Sequence, residues 1–225
     1  STWYGGKYSG RYTRLALGHV TKNYRSILSK NIKVRGAYLD VFAVVPPDEC
    51  YNPEHPVTRK QCLQYRGDCF DFIRTQVGVV SSEEPADWAI PHLDLVHHAP
   101  FALNPNPGHG RAMGIPVPLF SLVYHDSIFI PWSLGKGVWG IPENDSGYLH
   151  GLAHAGLPYL SITPAEPELQ RVRIMSNLNK RLALVEMTDH KFLDDDYRRQ
   201  QTMFADGTKV LIDLDKETYT IVPEL

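Results

Sequence analysis

Arg35-Gly-Ala-Tyr-Leu-Asp-Val-Phe-Ala43 decides how this chain is read. Apolar residues run straight into Asp40, and a loop with Pro46, Pro47, Pro53 and Pro56 follows. Val77-Gly-Val-Val-Ser-Ser-Glu-Glu-Pro85 repeats the pattern and ends in Glu83 and Glu84. Each stretch reads as a buried strand that delivers an acid at its C-terminal end, because parallel strands covered on both faces are near-continuous apolar runs. Between them, Thr58 to Gln76 carries Cys62, Tyr65, Cys69, Phe72 and Ile73 at helical spacing. The two strands are therefore one β–loop–helix–β step apart and are expected to be neighbours.

Outward from this unit, Thr13 to Lys30 carries Leu15, Leu17, Val20, Tyr24, Ile27 and Leu28 at helical spacing, with Asn31 as its stop. Val34–Phe42, Gly78–Ser82, Leu93–His97, Leu119–His125 and Pro158–Thr163 read as strands, and Gly147–Gly156 and Glu166–Lys180 as helices. Ala99 to Pro118 is an excursion rich in Pro and Gly. The pattern then changes: Leu182–Met187, Gln200–Phe204, Lys209–Leu214 and Thr218–Val222 read as antiparallel strands, with turns at Asp206-Gly207 and Asp215-Lys216. Alternating strands and helices followed by hairpins imply two units. The expected fold is α/β: residues 1–180 the later part of a (β/α)8 TIM barrel, and residues 181–225 the start of a C-terminal β domain. About five parallel strands fall short of the eight that close such a barrel. The missing strands are expected from a segment before Ser1 or from a partner chain.

The 225 residues are 43% hydrophobic and 21% charged, with a formal net charge of -2 and no basic run. That balance argues against nucleic-acid binding through a charged face. No apolar stretch is long enough to span a bilayer. Cys50, Cys62 and Cys69 lack metal-site spacing and read as unpaired thiols, with Cys62 and Cys69 on the buried face of one helix.

Two acids on successive strand ends of an α/β barrel face each other across its mouth. Glycoside hydrolysis needs such a pair, one carboxylate and one carboxylic acid flanking the scissile bond, and in its retaining form they stand about 5–5.5 Å apart. Asp40, short and stiff, suits a nucleophile fixed at a strand end. Glu83 reaches further and suits the proton donor above the leaving oxygen. The bland alternative is that strand-end acids cap loops or helices. Around the pair, Trp88 is placed to stack on a sugar ring or to pack in the core, Asp126 to hold hydroxyls or cap a loop, His125 beside it on the same strand end, and Trp132 to line the rim or be buried. His97 and His98, adjacent on an extended segment, point to opposite faces. His150 and His154 have the i, i+4 spacing of a metal face without the acid of a zinc-protease motif. The two-carboxylate reading needs neither metal nor cofactor.

Tyr38-Leu-Asp-Val-Phe42, Asn52-Pro-Glu-His-Pro56, Gly78-Val-Val-Ser-Ser-Glu83 and Asp87-Trp-Ala-Ile-Pro91 resemble the catalytic barrel of endo-α-N-acetylgalactosaminidase-like glycoside hydrolases and their bacterial relatives. Pro116-Val-Pro-Leu-Phe-Ser-Leu-Val-Tyr-His-Asp126 resembles their late-barrel strand. Glu186-Met-Thr-Asp-His190 and Thr202-Met-Phe-Ala-Asp-Gly-Thr208 resemble the exit into their C-terminal β domain. The resemblance implies a retaining α-glycosidase acting on galactose- or N-acetylgalactosamine-type glycans. Asp40 matches its nucleophile and Glu83 its acid/base, with Glu84 the alternative if the register slips by one. The other classes left open are a carbohydrate-binding relative without turnover and a metal-dependent hydrolase built on the histidines.

Overall fold

The computed structural model describes residues 9–84, 86–97, 117–137 and 141–224, with side chains from residue 15 onward. Residues 1–8 and nearly all of the 99–118 excursion lie outside them, as does His98; residues 9–12, which read as part of an N-terminal loop of about a dozen residues, are helical. The chain forms two compact units, Ser1–Leu95 and Val96–Leu225.

In the first unit, helix α1 (Ser9–Ser29) is followed by strand β1 (Gly36–Leu39), helix α2 (Arg59–Val77) and strand β2 (Val79–Glu83). Asn31 takes a left-handed φ of 58° and its N–H returns to the Leu28 carbonyl, which ends α1 as its sequence position predicts. A capping box starts α2: the Thr58 hydroxyl accepts from the Gln61 N–H at 3.3 Å, and the Gln61 side chain accepts from the Thr58 N–H at 2.9 Å. Gly78, at φ 98°, ends it and turns the chain directly into β2. Cys62, Cys69, Phe70, Ile73 and Val77 fill the buried side of α2, which packs on α1 and on both strands. Beyond β2, a short 3-10 helix (Asp87–His92) leads to strand β3 (Leu95–His97), and the sheet order is β1-β2-β3.

The second unit holds helix α3 (Leu119–Tyr124), strand β4 (Pro131–Trp132), helix α4 (Gly147–Ala153), strand β5 (Leu157–Pro158) and helix α5 (Glu166–Leu182). Four strands follow, β6 (Met187–Phe192), β7 (Arg199–Phe204), β8 (Lys209–Asp213) and β9 (Thr218–Val222), in an antiparallel meander. The β4 and β5 pair is parallel. Turns at Gly207 (φ 87°) and Glu217 (φ 50°) separate the last strands where Asp206-Gly207 and Asp215-Lys216 predict them. Gln200, Thr202, Phe204, Val210 and Ile212 alternate inward, and β7 and β8 pack on the wholly buried α4. A Cβ on Gly156 would run into the Trp132 indole, so only glycine permits this approach.

Three expected strands are corrected. Leu119–His125 is a helix, not a strand. Its inward face is polar, with Ser121 and His125 one turn apart and buried, while Leu119 and Val123 are 66% and 54% exposed. An apolar run read as a buried strand is here an outward helical stripe. Pro158–Thr163 contributes only its first residue to β5; Leu160 and Ile162 stand out in the open. Leu182 to Met187 closes α5 instead, and β6 begins at Met187.

An ion-pair network ties this unit together. Buried Asp145 accepts from His150 Nε2 at 2.8 Å and from Arg198 Nη1 at 2.6 Å, and Arg198 also reaches Asp215 at 2.8 Å. Burial pushes the Asp145 carboxyl upward, but the bonds from His150 and Arg198 outweigh it and hold it below its ordinary 3.8. A depressed carboxylate adds stability above its unfolded pKa and loses it as the pH falls through the folded one. Asp145→Ala removes the buried carboxylate that a buried imidazole and a half-buried guanidinium share, so it should cost about 3 kcal/mol. Urea unfolding at pH 7 followed by tryptophan fluorescence measures the loss, which should shrink once the pH falls below the Asp range.

Candidate active site

β1 and β2 pair in parallel with Gly36 opposite Val79, Ala37 opposite Val80, Tyr38 opposite Ser81 and Leu39 opposite Ser82. Asp40 directly follows β1 and Glu83 ends β2, so both acids lie at the C-terminal ends of neighbouring strands. Strand alternation groups Tyr38, Asp40, Val79, Ser81 and Glu83 on one face of the sheet. Val80 and Ser82, both fully buried, point the other way, toward the covered side. On the acids' face Tyr38 and Val79 are 46% and 43% exposed, Asp40 is exposed and Glu83 half-buried, while Ser81 between them is buried. The Tyr38 hydroxyl donates to Asp40 Oδ1 at 3.1 Å. Glu84 lies past the end of β2 and is exposed.

Each acid sits just before a sharp change of direction. Val41 and Glu84, the residues that follow them, have φ of 57° and 55°. A β-branched residue rarely adopts this conformation, which persists only where surrounding contacts enforce it. Two side chains do so around Asp40. Ser82 Oγ donates to the Leu39 carbonyl at 2.7 Å and accepts from the Ala43 N–H at 3.1 Å. Arg66, buried on α2, donates to the carbonyls of Phe42 (3.4 Å), Val45 and Pro46 (3.2 Å) and pairs with Asp48 at 3.7 Å.

Sequence reasoning missed Tyr38, Ser82 and Arg66. Two signals point to them: consecutive serines inside an apolar strand need partners when buried, and an arginine interrupts the apolar side of α2. Trp88 is half-buried, with its ring 6.3 Å from that of Phe70, which also meets Phe42 at 5.9 Å. It therefore joins an aromatic cluster under the Asp40 loop.

The other predicted residues belong to the second unit. His125 is buried, with Nδ1 2.7 Å from the Val185 carbonyl and Nε2 2.9 Å from that of His154. Burial lowers its pKa, against the pull of those two carbonyls and of Asp126. It fastens the end of α3 and lines a small cavity with Ile130, His154, Gly156 and Asn179. Trp132 is also fully buried, 4.6 Å from the His154 ring. Asp126 is exposed and accepts from the Ser127 hydroxyl at 2.9 Å. His154 meets Ser121 Oγ at 2.7 Å, and His97 is bonded to the Tyr159 hydroxyl. Among the described residues, no three His, Cys, Asp or Glu side chains are placed to hold a metal ion. No helix among them is long and apolar enough to cross a membrane.

No family model and no curated protein matches the chain. Solved structures do. The chain is a relative of a glycoside hydrolase, as the sequence motifs imply. Among the structures it is similar to are those of alpha-N-acetylgalactosaminidase NagBb from Bifidobacterium bifidum. A quadruple mutant of that protein aligns at TM-score 0.83 and 36% identity over 93% of this chain. Its GalNAc complex aligns at 0.82 and 34% over 93%, and its ligand-free form at 0.81 and 36% over 92%. The chain spans about a third of NagBb, 34%, 35% and 34% of the three structures respectively.

Proposed function

We propose that this chain carries the two carboxylates of a retaining glycoside hydrolase, with Asp40 as nucleophile and Glu83 as acid/base. The observation that carries the proposal is the register of β1 and β2, which ends with Leu39 opposite Ser82 and so leaves Asp40 and Glu83 at the C-terminal ends of neighbouring parallel strands. A retaining pair stands about 5–5.5 Å apart, a distance that carboxylates at the ends of adjacent strands can span. Asp40 attacks the anomeric carbon as its bond to the leaving oxygen breaks, and Glu83 gives that oxygen a proton. Glu83 then takes a proton from water, whose oxygen displaces Asp40 from the sugar. Tyr38 holds the Asp40 carboxylate by one oxygen and leaves the other for attack.

Likeness to NagBb supports α-linked N-acetylgalactosamine, or a galactose-type sugar, as the substrate class. In this reading residues 1–180 are the later part of a (β/α)8 barrel, completed by further chain or by a partner, and residues 181–225 open a β domain. The parallel pairs β1–β2 and β4–β5 and the final antiparallel sheet support that organisation. The test is hydrolysis of aryl α-N-acetylgalactosaminides and α-galactosides by the full-length protein, with the first product anomer read by proton NMR. The α anomer is expected first. First release of the β anomer would mean inversion and end the double-displacement reading.

A further inference from the structure

We infer that Ser82 is a positioning residue for the two acids, its hydroxyl setting the backbone on both sides of Asp40 from within the strand that ends in Glu83. The inference rests on the Asp40–Glu83 reading above. The Ser82 side chain is fully buried. Its Oγ donates to the carbonyl of Leu39, the residue before Asp40, and accepts from the N–H of Ala43, three residues after it. Ser82 itself is bonded covalently to Glu83. A single oxygen atom thus spans the base of the whole constellation.

Backbone pairing cannot do this. The ladder between β1 and β2 ends at Leu39 opposite Ser82, and Asp40 is already in the turn. Val41, at φ 57°, stays where it is only if the segments flanking it are held. Arg66 holds the far part of the loop by its carbonyls at 42, 45 and 46. Ser82 grips the part nearest the carboxylate. A hydroxyl is needed there because it donates and accepts at once. Alanine does neither, cysteine does both weakly, and threonine keeps both. Without the hydroxyl, the Leu39 carbonyl and the buried Ala43 amide lose their partner, and the turn relaxes with Asp40 on it. A shift of about 1 Å in a reacting group costs about 10²-fold in rate.

The test uses the full-length protein and an aryl α-glycoside that the wild type hydrolyses, with Ser82→Ala, Ser82→Thr and Asp40→Asn assayed together. Ser82→Ala should lower kcat by about 10²-fold, with KM changed by less than about threefold, since only the geometry of the reacting pair is altered. Ser82→Thr should restore most of kcat. Hydrogen exchange at the Ala43 amide should quicken in Ser82→Ala and not in Ser82→Thr, a readout that needs no substrate. Where Ser82→Ala does not fold, Ser82→Cys takes its place. A folded Ala or Cys variant with wild-type kcat overturns the inference, as does a slow variant whose Ala43 amide exchanges normally. An active Asp40→Asn removes the two-carboxylate reading and this inference with it. An inactive Asp40→Asn beside a fully active Ser82→Ala removes the inference alone.

Discussion

Asp40→Asn in the full-length protein should lower turnover of an aryl α-N-acetylgalactosaminide by more than about 10⁴-fold, because a residue that forms the covalent intermediate has no substitute. Asparagine has the same shape and keeps an oxygen that accepts from the Tyr38 hydroxyl. It lacks the charge and the lone-pair nucleophilicity of the carboxylate. Asp40 is exposed, and among the described residues its side chain bonds to the Tyr38 hydroxyl alone, so the fold should barely notice. A change in stability within about 0.5 kcal/mol is expected. The measurement is kcat for both proteins, with a thermal melt as the control for folding. Turnover at the wild-type rate in a folded Asp40→Asn protein would dismiss Asp40 as the nucleophile.

That prediction starts from a feature legible before any coordinates: an apolar run that ends in an acid, repeated after one amphipathic helix. The capping box at Thr58 and Gln61 and the stop at Gly78 fix where α2 begins and ends, so the register of the two strands follows from local chemistry. What could not be read is the part that depends on backbone positions distant in sequence. Ser82 and Arg66 act on carbonyl and amide groups 39 and 43, or 20 to 24, residues away, and no side-chain pattern announces those partners. The α3 segment misleads for another reason. Its residues are strong strand formers, but Ser121 and His125 find partners in His154 and Val185 only when the segment is helical. Tertiary hydrogen bonding of two polar side chains outweighs the local preference of the apolar ones. His125, placed at the end of a presumed strand, and Trp132, which follows an apolar run and could line a rim or be buried, are both buried.

Glu83→Ala should separate the two chemical steps. For a substrate with a poor leaving group, loss of the proton donor should slow glycosylation by about 10²–10⁴-fold. A dinitrophenolate departs without protonation, so its release should stay fast for one turnover and then stall, because no base remains to activate water against the Asp40 ester. Azide is a nucleophile that needs no base. Added azide should therefore restore turnover of the dinitrophenyl glycoside and give the α-glycosyl azide, with the configuration set by two displacements. Glu84→Ala serves as the control: Glu84 is exposed and past the end of β2, so its loss should change kcat by less than about threefold. The opposite result, with azide rescuing Glu84→Ala and Glu83→Ala fully active, would move the acid/base by one residue. A Glu83→Ala protein whose dinitrophenyl glycoside turnover ignores azide would end the assignment, because an enzyme trapped as its glycosyl ester must answer to a small anionic nucleophile that can reach the exposed Asp40.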